Sequence, residues 1–410
     1  SSNNGSSYVS TNTPTATPTI VETPTPTTSS PSPVNTQVNE KGFTSEGRMV
    51  ANYGTPKIDG TIDEVWKNAI EILPPNINNA AVQATAKFKV LWDDNALYFL
   101  AQVIDPNMSV APWNAYEQDS IEFFLDENND KTSSYGADDL HFRVNYNKVQ
   151  SIDNGDGNRF YTATKIGENE YLVEARIELQ NAAKNYTIYG IELQVNDCIG
   201  SSRAGTITVF DKTDGAWNNP SLFGEIVLAG KKDGDVPGIN PYKLIKLIDS
   251  AEKMDITAAA FKAQLKAAKD VIENDSSTQK DIDKAYDSLN SVITFVNAVS
   301  RAAKLDLTVY QTEGVNAVEK AVEDAQKLLE KEVIPQDEME KATEALEKAI
   351  EKLKIKGLDS NGNMVAQFGS PVIDGEIDEV WDKVDFVPAT ASGSGSTDTT
   401  AKFKTLWDDK

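Results

Sequence analysis

The feature that most restricts the fold is a change of hydrophobic period along the chain. From Met49 to Gly230 apolar residues alternate or run in short stretches, as in Ala96–Ile104 (ALYFLAQVI), Asp119–Asp126 (DSIEFFLD), His141–Tyr146 (HFRVNY), Glu170–Leu179 (EYLVEARIEL) and Ile188–Asp197 (IYGIELQVND). Gly, Asn, Asp and Pro fill the gaps, and no helical pattern intervenes. A period of two sends successive side chains to opposite faces, so many short strands without helices predict an antiparallel β-sandwich. From Pro241 to Lys356 the spacing becomes three and four. Leu244, Leu247, Ile248 and Ala251 make one stripe, Phe261, Leu265, Ala268 and Ile272 a second, and Ile282, Leu289, Ile293 and Val296 a third. These are amphipathic helices, with Thr278 and Asp281 as a capping-box start and Pro335 where a first turn tolerates proline. Their Glu/Lys-rich faces read as solvated surface.

Both textures repeat. Ala268–Ile293 aligns without gaps on Ala325–Ile350, which predicts two small helical bundles in tandem. Met364–Lys410 repeats Met49–Asn95 without gaps, about half of the positions being identical. The first copy runs on to Gly230, so the second is expected to be the opening of another sandwich and the chain a piece of a longer one. Residues 1–42 are rich in Ser, Thr, Pro and Asn, with Thr-Pro dipeptides at Thr13, Thr17, Thr23 and Thr25. Such a segment buries too little apolar surface to offset its chain entropy and reads as a disordered linker to something upstream. The expected multidomain division is 1–42 linker, 43–231 β-sandwich, 238–357 helical repeats and 358–410 truncated second sandwich.

Charge and composition exclude several function classes. With 63 acidic and 39 basic side chains the formal net charge is −24, which disfavours nucleic acid and anionic membrane surfaces. No apolar run approaches the roughly 18 residues of a membrane span. The single cysteine, Cys198, rules out an intramolecular disulfide and a multi-cysteine zinc site. It reads as a small strand-end residue. The single histidine, His141, has no Ser or Cys partner in a recognisable motif and reads as a platform or packing residue.

Alternation places His141, Arg143 and Asn145 on one side of their strand, and Glu192, Gln194 and Asn196 on one side of theirs. A strand face of Arg, Asn, Gln and Glu suits a polar platform. Trp217 lies in a polar loop, Lys212–Pro220, and Trp113 and Tyr116 in another, Asp105–Tyr116, whereas Trp66 and Trp92, repeated as Trp381 and Trp407, fall in apolar patterning and are expected in cores. Flat rings stack on the C–H faces of pyranoses, while carboxylate, amide and guanidinium groups take the hydroxyls. A glycosidase reading would need paired carboxylates, Glu117 or Asp119 with Glu122. Asp119 and Glu122 are an odd number of residues apart and would point oppositely, so no catalytic residue is assigned.

The segments MVANYGTPKIDGTIDEVWKNA, TAKFKVLWDDNALYFLAQVIDP, YEQDSIEFFLDENNDKT, DDLHFRVNY, IELQVND and AWNNPSLFGEI, in that order, resemble the family 9 carbohydrate-binding modules of bacterial xylanases. The resemblance covers Met49–Gly230 in full and Met364–Lys410 in part. It implies a β-sandwich with structural calcium that binds the reducing ends of xylan and cellulose chains and short sugars. It also implies a secreted bacterial protein whose endo-xylanase catalytic domain lies upstream, and a monomeric module with no nucleic-acid partner and no membrane insertion. The helical repeats are similar to FIVAR-type repeats of bacterial cell-surface proteins.

For the binding slot the resemblance implies two aromatic walls, Trp217 and Tyr116, with Glu122, Arg143 and Asn145 on the hydroxyls. Tyr116 stands where the family has Trp, and Asp214 where it often has Asn. Trp113, three residues before Tyr116, is an alternative stacking partner. Calcium ligands would come from Asp105, Asp119, Asp126, Glu127, Asn129, Asp130, Asp138 and Asp139, without assignment. The Tyr116 departure keeps open a cell-surface spacer or adhesin with a degenerate sugar site.

Overall fold

The computed structural model describes residues 34–408 apart from 355, 360, 375 and 390–400. Most of the expected linker, residues 1–33, lies outside the described residues. The end of that expected linker does not stay free of the sandwich: Val34 and Val38 pack on Val50, Val227 and Ala229.

The period-two segment forms β1 (Met49–Tyr53), β2 (Glu71–Ile72), β3 (Asn76–Ile77), β4 (Thr85–Asp93), β5 (Ala96–Ile104), β6 (Ser120–Asp126), β7 (Asp139–Asn145), β8 (Gln150–Asn154), β9 (Phe160–Ile166), β10 (Glu170–Glu178), β11 (Ile188–Ile199), β12 (Ser202–Thr208) and β13 (Gly224–Ala229). They join in one curled, mostly antiparallel sheet of order β8-β7-β6-β11-β13-β1-β4-β5-β10-β9, with β12 beside β11. The seam is β1. Met49–Asn52 run parallel to β13, and Asn52–Tyr53 parallel to β4, so one strand hands the ladder from one leaf to the other. The expected sandwich is thus a half-barrel whose two leaves stay hydrogen-bonded at one edge.

Alternation builds the core between the leaves. Ile121, Phe123 and Leu125 of β6 and Ile191, Leu193 and Val195 of β11 face Leu97, Phe99, Ala101 and Val103 of β5 and Val173, Ala175 and Ile177 of β10, all buried in one cluster. Phe99 and Phe123 meet across it with ring centroids 5.2 Å apart. Trp66 and Trp92 are fully buried, as expected of core anchors. The same alternation sends Glu122, Arg143 and Gln194 outward, which creates the site.

The helical region comprises α1 (Tyr242–Ala251), α2 (Ala259–Glu273), α3 (Gln279–Ala303), α4 (Thr312–Leu329) and α5 (Gln336–Glu351). The capping box forms: the Asp281 carboxylate accepts the Thr278 amide at 2.9 Å, and the Thr278 hydroxyl accepts the Asp281 amide at 3.3 Å. The two expected bundles share α3, whose 25 residues lie against both helix pairs, so their apolar stripes merge into one continuous core. Among the described residues no helix is long and apolar enough to cross a membrane.

The second copy forms β14 (Gln367–Phe368), β15 (Val387–Pro388), β16 (Lys402–Phe403) and β17 (Leu406–Trp407). β14 runs parallel to β17, pairing Phe368 with Trp407 as Tyr53 pairs with Trp92 in the first copy. The edge-on ring contact recurs too, with centroids 5.0 Å apart in both. Trp407 is 52% exposed, unlike Trp92, because among the described residues no second leaf covers it.

Candidate functional site

The outer face of the β6–β7–β11 leaf floors a cavity of about 410 Å³ lined by Tyr116, Glu122, His141, Arg143, Asp153, Gln194, Arg203 and Trp217. Ladder register explains the floor: Glu122 lies between Arg143 on β7 and Gln194 on β11, and Ser151 of β8 extends the row beyond Arg143. A larger hollow of about 760 Å³ on the other leaf is lined by a mixture of aliphatic, charged and polar side chains and offers no exposed aromatic ring, Tyr171 there being buried. The smaller cavity holds the chemistry.

Glu122 is the centre of the floor. Its carboxylate lies 2.5 Å from His141 Nε2, and accepts from Arg143 Nε at 2.8 Å and Asn196 Nδ2 at 2.6 Å. Burial alone would raise its pKa. The His141 hydrogen bond and the charge of Arg143 outweigh burial and hold it at about 2. Arg143 spends its fork on Glu122, on Ser151 Oγ at 2.9 Å and on Asp153 Oδ2 at 2.7 Å. The second Asp153 oxygen has no hydrogen-bond partner among the described residues, and this side chain is 47% exposed. A buried ionic network satisfied in this way is rigid, and its remaining polar atoms aim outward.

The walls are loops tied from beneath. Trp217, 61% exposed, sits on a loop whose turns are held by Asp211: its carboxylate accepts the amides of Thr213 at 2.7 Å, Gly215 at 2.6 Å and Ala216 at 2.8 Å. Buried Glu192 holds the start of the same loop, accepting the amides of Val209 at 2.7 Å, Phe210 at 2.8 Å and Asp211 at 2.5 Å. The Phe210 ring lies so close over Gly224 that a Cβ there would stand 2.2 Å from it, so this position requires glycine. Tyr116, 47% exposed, occupies one turn of 3-10 helix, Ala115–Glu117, in a loop closed by Ser109 N donating to Asp119 Oδ2 at 2.5 Å and Gln118 Nε2 donating to Pro112 O at 2.8 Å.

The cavity therefore gathers Tyr116, Trp217, Glu122 and Arg143. Asn145 lies outside it: its amide donates to Gln118 at 2.7 Å and accepts the Val149 amide at 2.9 Å, closing the β7–β8 turn. Asp214, in the left-handed region at φ 58°, stands behind Arg203, which donates two bonds to it at 2.9 and 3.0 Å. Trp113 is 95% exposed and does not line the cavity. Arg203 and Asp153 are lining residues that sequence reasoning passed over. Arg203 reaches the cavity because β12 folds back on β11 with a register shift at Asp197/Cys198, and Asp153 because β8 pairs with β7 in what reads as a polar loop.

Two acidic clusters lie beside the walls. Asp105, Asp119 and Asp197, all fully buried, place carboxylate oxygens within 4.8 Å of one another, as do Asp126, Asp138 and Asp139. Asp105 Oδ2, Asp197 Oδ1, Asp126 Oδ1 and Asp139 Oδ1 are buried without a hydrogen-bond partner. Orphaned, hard, anionic oxygens at this spacing fit a divalent cation. Burial pushes Asp119 up to about 8 and Asp139 up to about 6, with the neighbouring carboxylates adding to the rise. Glu127, in contrast, pairs with Arg159 and the Gln180 amide, and Asp197 is a cluster member that strand patterning hid.

A half-barrel with half-exposed rings around a fixed carboxylate–guanidinium floor defines a sugar-binding module. Residues 58–231 match the family described as carbohydrate family 9 binding domain-like. Two solved structures of a carbohydrate-binding module family 9 from Caldicellulosiruptor kristjanssonii, one with glucose and one with cellotriose, are 50% and 51% identical to this chain, each matched over 100% of its length and covering 46% and 47% of this chain, with TM-scores of 0.45. Endo-1,4-beta-xylanase A of Thermotoga maritima is 45% identical over 190 residues, which is 45% of this chain and 18% of that protein. Through this segment the chain carries a family 9-like carbohydrate-binding module, and it spans under a fifth of the curated exoglucanase and xylanase relatives it matches.

Proposed function

We propose that the module binds the terminal sugars of plant cell-wall polysaccharide, xylan and cellulose chain ends included, and so holds a linked xylanase on its substrate. The observation that carries this reading is the combination of two exposed rings with a buried floor whose charges are already paired. A pyranose laid against Trp217 and Tyr116 stacks its C–H face on the rings, while the free Asp153 oxygen, the Gln194 amide and the spare guanidinium N–H groups of Arg143 and Arg203 take its hydroxyls. Because the floor is fixed beforehand, binding orders little protein. The Thr/Pro-rich start is a linker in this arrangement, the helical repeats FIVAR-like spacers, and a completed second module would add avidity.

Calorimetry with cellobiose and xylobiose, each against its borohydride-reduced form, tests the reading. Binding of the parent sugars and loss on reduction is the expected result. Equal affinity for both forms removes the reducing-end preference, and no binding to either removes the function.

We further propose that the two acidic clusters hold calcium. Asp105 and Asp119 close the two ends of the loop that carries Tyr116, so a cation there would stiffen one wall. Dialysis against EDTA is expected to lower Tm and weaken sugar binding, with both restored by calcium. An unchanged Tm refutes it.

A further inference from the structure

The leaf opposite the slot carries a second, smaller core on its outer face. Leu91 of β4, Tyr98 and Leu100 of β5 and Leu172 of β10 point away from the main core and are roofed by Ile58 and Trp66. The roof is held by bonds that do not involve α1. Trp66 Nε1 donates to Glu174 at 2.8 Å, and the other Glu174 oxygen accepts the amides of Asp59 at 3.1 Å and Gly60 at 2.8 Å. What completes this core comes from beyond the family match at residue 231: Tyr242 and Ile245, in the first turn of α1.

Tyr242 is 5% exposed. Its hydroxyl accepts the Ile58 amide at 3.0 Å, its ring lies against Tyr161 with centroids 4.4 Å apart, and the Arg176 guanidinium stands 5.3 Å from its centroid. One turn further, Lys246 donates to the Gly157 carbonyl at 2.7 Å. The connecting segment is tied as well, with Gly238 N donating to Thr55 Oγ1 at 3.0 Å and Asn240 N donating to Gln279 of α3 at 2.7 Å. A tether between independent domains exposes few such contacts and leaves relative motion free. Here an aromatic side chain with a satisfied hydroxyl fills a preformed socket, the arrangement that fixes orientation.

We propose that Tyr242 is the plug of a rigid joint that makes the helical repeats a fixed arm on the face of the module opposite the sugar slot. Slot and socket lie on the outer faces of different leaves with the main core between them, so the joint directs the slot away from the arm without obstructing it. The module as a physical unit then extends past residue 231 to α1, and the recognition of a sugar at one end sets the attitude of the helices at the other.

Pulsed electron-spin distance measurement in the full chain tests the joint, with spin labels on Asn147→Cys in the β7–β8 turn and Lys320→Cys on α4, both exposed, while buried Cys198 stays unlabelled. The expected result is one narrow distance distribution that broadens several-fold on adding Tyr242→Ala, with sugar affinity unchanged. A broad distribution in the chain with native Tyr242, or an equally narrow one in Tyr242→Ala, overturns the proposal. Tyr242→Phe keeps the ring and removes the acceptor, so hydrogen exchange at the Ile58 amide is expected to quicken at least tenfold. Unchanged exchange there overturns the assignment of Tyr242 as the plug.

Discussion

The two outer faces of the half-barrel arise from the same alternation and have opposite fates. On the β4–β5–β10 leaf the outward positions are Leu91, Tyr98, Leu100 and Leu172, and the chain covers them with Trp66, Ile58 and Tyr242. On the β6–β7–β11 leaf they include Glu122, His141, Arg143 and Gln194; Tyr135 stacks along His141, and the half-exposed rings of Tyr116 and Trp217 flank the opening over the rest. An apolar outer face has to be covered because exposing it costs about 25 cal/mol per Å². A polar outer face whose charges neutralise each other can stay open, and openness is what a ligand needs. The contrast separates tryptophans buried in the fold from one exposed at the slot, the one proposed to stack on sugar.

Trp66→Ala should produce the largest effect: a loss of about 3–5 kcal/mol in unfolding free energy, since it opens a cavity and strips Glu174 of a donor, while the folded fraction binds sugar normally. Urea unfolding alongside calorimetry reads both. Glu122→Gln, which falls on both sides of the contrast, is expected to cost about 3 kcal/mol of stability and most of the sugar affinity, because Arg143 loses its buried counter-charge. Its pH signature follows from the depressed pKa. The folded value of about 2 lies below the ordinary 4.5, so the contribution is complete above pH 4.5 and disappears as pH falls toward 2. The stability difference between parent and Glu122→Gln should therefore shrink by on the order of 3 kcal/mol between pH 5 and pH 2, and a pH-independent difference would contradict the assignment.

Trp217→Ala reverses the Trp66 pattern. Affinity should drop by about 30-fold, near 2 kcal/mol, with unfolding free energy moving by under about 0.5 kcal/mol. A stability loss comparable to that of Trp66→Ala would erase the distinction between the faces. Trp113→Ala should do least. This ring is 95% exposed and outside the cavity, so affinity and stability are both expected to stay within about 0.5 kcal/mol of the parent, and a tenfold loss of affinity would return Trp113 to the site.

Local pattern carried much of this into view. Alternation was enough to put Arg143 and Gln194 on a polar face, the resemblance to family 9 modules added Glu122, and the loop setting of Trp217 and Tyr116 marked them as rings without a core. It also anticipated the helices and the Thr278–Asp281 cap. Registers between distant strands lay beyond it. Arg203 enters through the β11–β12 pairing and its bulge, Asp153 through a short strand that reads as turn, and Asp197 joins Asp105 and Asp119 only once β11 crosses the base of their loop. Asn145 shows the converse, a correct strand face with its amide committed to Gln118 and Val149. The sharing of α3 by two helix pairs was hidden for the same reason, since a repeat read along the chain does not reveal that neighbouring units merge.

The carboxylates under the Trp217 loop have a further consequence. Asp211 and Glu192 grip backbone amides, not the indole, so the path of the loop is fixed whatever side chain it displays at 217. On the stacking role proposed for Trp217, a change of ring at that position alters what the slot accepts without re-forming the loop. Ligand preference in this module is thus separable from folding, and a selection for new sugars could proceed one exposed residue at a time on an unaltered frame.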